Sequence, residues 1–250
     1  MTLSPHTRSN SAASGNISGL FQTDGKSMTD AFSPSARSKV KRLPKRGHYD
    51  RATVYAILDT GFICHVGYAI NGQPYVTPTA YWREGDAVYW HGSSASRMLR
   101  TLETGADCCL TVTHLDGLVL ARSAFHHSLN YRSVMLFGKA HKVTDAEEKL
   151  AKLEAFVERL YPGRWQELRP VNAKELKATT VLGMHIDEAS AKVRTGPPVD
   201  DEPDYALPIW AGVIPVHSAT AAPLDDGRLA KGAKMQTALA DLNHLGLTTR

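Results

Sequence analysis

The chain has 250 residues, 42% of them hydrophobic and 22% charged, which excludes a collagen, a coiled coil and a wholly disordered protein. No apolar run reaches the roughly 18–20 residues of a membrane-spanning helix, and three cysteines, Cys64 and the adjacent Cys108 and Cys109, rule out a disulfide scaffold and fit a reducing, cytoplasmic compartment. The formal charge of +4 is uneven: residues 1–46 hold eight basic and two acidic residues, a net +6, leaving the other 204 at −2, without the basic face that nucleic-acid phosphates require.

Residues 1–38 contain nine serines and few large apolar side chains. Such a segment buries too little surface to offset the entropy of ordering, so a disordered extension is expected there. An organelle address is the lesser reading, because no Arg-rich amphipathic helix accompanies the low acid content. The run Lys39-Val40-Lys41-Arg42 with Lys45-Arg46 reads as a solvated charged linker. A folded domain is expected over 39–216, followed by a weakly ordered tail over 217–250.

From Asp50 the pattern changes. Asp50 is a predicted N-cap for a short amphipathic helix, Arg51 to Leu58, that stops at Thr60-Gly61. Phe62 to Ile70 and Pro74 to Trp82 are β-branched and aromatic runs around Asn71-Gly72, the strongest short-range hairpin signal. Glu84-Gly85-Asp86 turns the chain into a third strand, Ala87 to His91. Met98, Leu99 and Leu102 are helically spaced within Ser94 to Thr104. A second hairpin, Cys108 to His114 and Leu118 to Phe125, is predicted around Leu115-Asp116-Gly117, with a sixth strand over Tyr131 to Val143.

Thr144 and Glu147 form a predicted capping box for a helix through Leu160, ended by Tyr161-Pro162-Gly163. Strand-like segments follow at Thr179 to Ile186 and Ala191 to Arg194, then an acidic arm over 196–204, and one further helix is expected over Lys234 to Asn243. The fold class is therefore mainly β with peripheral helices, a six-stranded antiparallel barrel in which closure removes exposed strand edges.

Several chemistries fall away at once. The chain has no G-x-S-x-G, no H-E-x-x-H and no G-x-G-x-x-G, and Gly138-Lys139-Ala140 lacks the rest of a P-loop. His126-His127 would face opposite ways on a strand, so surface histidines are a better reading than a metal site. The informative stretch is Trp90-His91-Gly92-Ser93-Ser94-Ala95-Ser96-Arg97-Met98. There a strand ends, a helix opens, and three hydroxyls and a guanidinium gather at free backbone N–H groups. A phosphate site and a plain serine cap both fit. Arg132-Ser133 is a second basic and hydroxyl pair.

These blocks together, the strand Pro74 to Tyr81, His91-Gly92 to Ser96-Arg97, and Arg132-Ser133-Val134-Met135 running into Phe137-Gly138-Lys139-Ala140, resemble the pyridoxamine 5′-phosphate oxidase-like FMN-binding split β-barrels over about residues 40–216. His126 to Ser133 and Lys192 to Pro198 are similar to the subgroup that includes nitroimidazole-resistance (Nim) proteins.

The resemblance implies that FMN lies against Val76, Thr77, Pro78, Thr79, Ala80 and Tyr81, largely by backbone groups. Its phosphate would be caged by His91, Gly92, Ser93, Ser96 and Arg97. Arg132 and Ser133 would reach in from the other subunit of a homodimer, and Trp210 would close over the flavin. It further implies an oxidoreductase carrying hydride from reduced nicotinamide through FMN to a small acceptor. The oxidases themselves carry cations where this chain has Val76, Met98 and Tyr81, so oxidation of pyridoxamine phosphate is not expected. The alternatives are a flavin-binding protein without turnover and a split barrel holding haem or a deazaflavin. His65, His91 and Tyr81 are possible proton donors near the flavin.

Overall fold

A computed structural model describes residues 30–233 and, for the backbone, 248–249. The expected helix over Lys234 to Asn243 and the residues before Asp30 lie outside the described residues. The strands are β1 (Gly47–His48), β2 (Ile63–Ile70), β3 (Gln73–Glu84), β4 (Ala87–Ser93), β5 (Asp107–Leu120), β6 (Ser128–Lys139), β7 (His141–Lys142), β8 (Thr179–His185), β9 (Glu188–Arg194) and β10 (Gly212–Pro215), with a small separate pair, β11 (Ala219–Thr220) and β12 (Thr248–Thr249). The helices are α1 (Arg51–Thr60), α2 (Arg97–Leu102), α3 (Ala146–Leu160) and α4 (Ala173–Ala178).

The main sheet runs β1-β9-β6-β5-β2-β3-β4-β8-β7, with β10 added to β5, and every pairing within it is antiparallel. Asn71 and Gly72, both at positive φ (50° and 80°), make the tight turn between β2 and β3 that the dipeptide predicts. β3 is shared: Gln73 to Ala80 pairs with β2, and Tyr81 to Glu84 pairs with β4. The sheet rolls around a core built on Val66, Leu110, Val112, Val134, Leu136, Leu182 and Met184. It does not close by hydrogen bonds. β6 and β8 meet through side chains, where a Cβ on Gly138 would stand 3.1 Å from Met184 Sδ. This is a split barrel, with α2 contributing Met98, Leu99 and Leu102 to its core.

Several predicted boundaries move. The second hairpin is one continuous strand, β5, irregular between Leu115 and Gly117 where it faces β6. Gly117 is there for close approach and not for a turn, since a Cβ would lie 2.9 Å from Val213 Cγ1 of β10. The bulge leaves the exposed side chains of β5 on one face either side of it, which a turn would not do. The cap of α3 is Asp145, accepting from the Glu148 N–H at 2.8 Å, one residue later than the predicted Thr144 and Glu147 box. A capping box does occur on α4, between Asn172 and Glu175. That helix has the right signature in sequence but only six residues.

The packed domain also begins earlier than residue 39. Phe32 is buried, edge-on to Tyr55 and under the Arg51 guanidinium, and Ala31 bridges Asp50. Ser35 and Arg37 both bond Glu188. A single aromatic anchor and one carboxylate hold a segment whose composition alone reads as unstructured.

A second, smaller core forms where α3 crosses the outside of the barrel, with Trp82, Tyr89, Val143 and Val181 packed against Leu153 and Phe156. Among the described residues no helix is long and apolar enough to cross a membrane.

Candidate functional site

The shared pairing of β3 creates the site. Over Gln73 to Ala80 one edge is hydrogen-bonded to β2, and no strand among the described residues pairs with the other. An unpaired edge presents backbone N–H and C=O groups that need partners. Beside it lies α2. The Arg97 guanidinium carbon sits 4.4 Å from the centroid of the Tyr75 ring, which itself stacks on Tyr68. Tyr75 is not among the predicted site residues. Only the fold shows that the aromatic on β3 and the cation on α2 are neighbours.

Arg97 is the first residue of α2, following the N-cap Ser96. That is the positive pole of the helix, so a cation there is on the unfavourable side of the dipole unless an anion joins it. Among the described residues Arg97 has no carboxylate within ion-pair distance. Arg83, Arg122 and Arg132, in contrast, are each paired with an aspartate: Asp59 (2.5 Å), Asp200 (3.0 Å) and Asp116 (2.8 Å).

The serines serve two purposes. Ser93 Oγ accepts from the Ala95 N–H at 3.2 Å and Ser96 Oγ from the Leu99 N–H at 3.5 Å, so both cap the chain while keeping an O–H to donate. Gly92 lets α2 settle here: a Cβ would be 3.2 Å from Leu99 Cδ1.

The other expected site residues divide. Thr77 and Thr79 face the barrel interior with Tyr75, and Val76 and Pro78 face outward, Val76 being 68% exposed. Ala80 continues the outward side. Tyr81 is buried, and its hydroxyl donates to the Leu58 carbonyl at 2.5 Å. Burial also raises its pKa. As a proton donor to a bound ligand it is committed elsewhere.

The His91 side chain turns away from Arg97 into the smaller core, with its ring 4.6 Å from that of Phe156, and burial lowers its pKa. The ring thus belongs to the smaller core, and it is the His91 backbone that stands at the β4 end before Gly92 and Ser93. Arg132 and Ser133 are consecutive on β6 and face opposite sides of the sheet. Arg132 forms a two-pronged pair with Asp116 and Ser133 Oγ donates to the Lys192 carbonyl, three strands from β3 along the sheet. Within one chain the fold does not bring them to Arg97. Trp210 is 66% exposed and lies across Gly212, where a Cβ would stand 2.9 Å from Trp210 Cζ2. It is not part of the core.

The three cysteines are free thiols, Cys64 and Cys108 buried and Cys109 half-buried. Burial pushes the Cys64 thiol up to about 12 and the Cys108 thiol to about 11. Among the described residues no three His, Cys, Asp or Glu side chains are placed to hold a metal ion.

A split barrel with a free strand edge, an unpaired guanidinium and a serine-capped turn defines the class. The family model for pyridoxamine 5′-phosphate oxidase matches residues 50–193, more than half the chain, and the chain belongs to that family. Among solved structures it is similar to the flavocytochrome Anf3 from Azotobacter vinelandii, at 53% identity and a TM-score of 0.79, covering 83% of this chain and 96% of that one. It is also similar to an FAD and haem binding protein from Mycobacterium smegmatis, at 37% identity and a TM-score of 0.74, covering 77% and 95%. A putative 5-nitroimidazole antibiotic resistance protein from Bacteroides thetaiotaomicron matches more distantly, at 23% identity and a TM-score of 0.48 over 58% and 84%. No curated protein matches.

Proposed function

We propose that the protein is a homodimeric flavin- and haem-binding redox protein, with the flavin on the β3 edge and its phosphate at Arg97. The observation that carries this reading is 53% identity over nearly the whole of a flavocytochrome chain, joined to a guanidinium at a helix's positive pole with no carboxylate beside it. The residues fit an anionic flavin: the free β3 backbone would meet the ring edge, and the Ser93 and Ser96 hydroxyls and Arg97 the phosphate. FMN was the expectation from sequence. The 37% identical protein is named for FAD, so FAD is the form this reading favours.

When bound, a flavin supplies hydride and electron transfer, and the chain's part is position and electrostatics. Reduced nicotinamide as donor and a small molecule as acceptor remain the proposed partners. Oxidation of pyridoxamine phosphate is not proposed. The position where the oxidases carry a cation is here Tyr81, whose hydroxyl is consumed by Leu58.

The outward face of the sheet, with Ile63, Val76 and Met135 exposed, supplies apolar surface for a second subunit. Purification with flavin and haem precursors in the medium tests the reading. The expected product is a dimer showing flavin and Soret bands, whose extracted flavin has the mass of FAD. A colourless monomer that takes up neither group overturns it.

A further inference from the structure

We infer that Tyr75 is a positioning residue, its ring holding the Arg97 guanidinium in place for an anion. The assignment rests on the reading above that puts the flavin phosphate at Arg97. The guanidinium carbon lies 4.4 Å from the centre of the Tyr75 ring, well within the range of a cation–π contact. A ring face holds a cation without taking up its N–H groups as a carboxylate would, so the donors stay available.

Other cations that lie over rings are used differently. Arg37, Arg51, Arg83, Arg122 and Lys152 each pair with a carboxylate as well, and Arg159 donates to backbone carbonyls. Arg100, the second arginine of α2, spends its Nε on the Ser94 carbonyl at 3.0 Å. Among the described residues Arg97 is the cation that meets a ring and has no acceptor for its N–H groups.

The platform under that cation is built in depth. Tyr75 stacks on Tyr68, with ring centres 5.5 Å apart and planes 18° from parallel. The two are direct partners in the β2–β3 register, so their side chains leave the same face of the sheet. Tyr68 is buried, its strand is paired on the other edge with Cys108 of β5, and its hydroxyl is 3.3 Å from Thr77 Oγ1.

A ring backed in this way has little freedom to swing. Arg97 is exposed, and without the ring its long side chain would sample many rotamers. Ordering it before the anion arrives removes part of the entropy cost of binding. Among the described residues the Tyr75 hydroxyl has no hydrogen-bond partner, so the face of the ring is what acts.

The test varies the ring and reads FAD affinity by fluorescence titration of the full-length protein stripped of bound flavin. The thermal midpoint of each apoprotein reports folding. Tyr75→Phe keeps the face and is expected to bind FAD within about twofold of wild type. Tyr75→Leu removes it and should weaken binding by about 3- to 10-fold. In an Arg97→Ala background the same change should cost nothing further, because the ring acts through the guanidinium.

Should Tyr75→Leu fail to fold, Tyr75→pentafluorophenylalanine keeps an aromatic ring of similar shape and reverses the charge distribution of its face. It should weaken FAD binding as Leu does without lowering the thermal midpoint. A loss that persists in the Arg97→Ala background, or a fluorinated ring that binds FAD as tightly as Phe, overturns the Tyr75 assignment alone. Wild-type affinity in Arg97→Ala itself overturns the phosphate reading and this assignment together.

Discussion

Two guanidinium groups sit at helix ends, and they do opposite work. Arg159, from the last turn of α3, donates to the carbonyls of Leu58, Asp59 and Gly61 at 3.2, 2.9 and 2.7 Å, closing the C-terminus of α1. A cation at that end is favourable, and His114 and Tyr81 add bonds to the Ile57 and Leu58 carbonyls. Gly61 is small because His114 is there: a Cβ would stand 2.7 Å from its Cε1. Arg97 occupies the wrong end of its helix for a cation and, among the described residues, meets only the Tyr75 ring. A charge whose partners are all inside the fold is architecture. One placed against the dipole with no carboxylate beside it is the group to which the proposed function gives the flavin phosphate.

The largest expected effect breaks the ligand side of this contrast. Arg97→Ala should weaken flavin binding by roughly 1.5–3 kcal/mol, about 10- to 150-fold, the scale of a charge-assisted hydrogen bond to phosphate. The unfolding midpoint of the flavin-free protein should not move. Fluorescence titration with FAD and FMN, beside thermal denaturation of the apoprotein, reads both quantities. Unchanged affinity would place the phosphate elsewhere.

Arg159→Ala should show the reverse. Three carbonyls lose a partly buried charged donor, and a loss of about 2 kcal/mol in chemical denaturation is expected with intrinsic flavin affinity retained. Arg132→Ala sharpens the comparison, since its pair with Asp116 is partly exposed and contributes about 0–1 kcal/mol. Stability should barely change. If flavin retention also survives, Arg132 is architectural. If retention falls only in the dimer, the partner subunit presents it to the flavin, and a variant held monomeric will show the same loss.

The smallest effect concerns pH, where neither guanidinium titrates. Burial holds the folded pKa of His91 below the unfolded value of about 6.5, and burial lowers that of His114 as well. Below that pH the unfolded chain takes up protons that the folded chain resists, so stability falls as pH drops from about 6.5 through the folded pKa and returns as it rises. His91→Phe, which keeps an aromatic ring against Phe156, should flatten part of that fall. Midpoints measured at stepped pH between 5 and 7.5 check it, and an unchanged slope would contradict the burial account.

Local chemistry made much of this legible. Asn71-Gly72, the Asp50 cap and the β-branched runs each act over a few residues, and each appears where the chain predicts it. The serine-rich turn before Arg97 was visible for the same reason. Failures occurred where a residue answers to something distant in sequence. Gly117 looks like a turn and is a clearance for β10. Phe32 looks like part of a polar extension and is an anchor for α1. His91 looks like a neighbour of Arg97, yet the two-residue period of β4 points it at α3.

By itself the sequence determined the antiparallel β class, the family resemblance and the hydroxyl and guanidinium groups suited to an anion, because these depend on residue type and near spacing. Only the tertiary structure decided which charges are spent. Pairing Arg132 with Asp116, Arg122 with Asp200 and Arg159 with the end of α1, while leaving Arg97 on Tyr75 beside an open strand edge, needs partners 16 to 101 residues apart to meet. Register and packing bring such partners together, and neither is written in any short window of the chain.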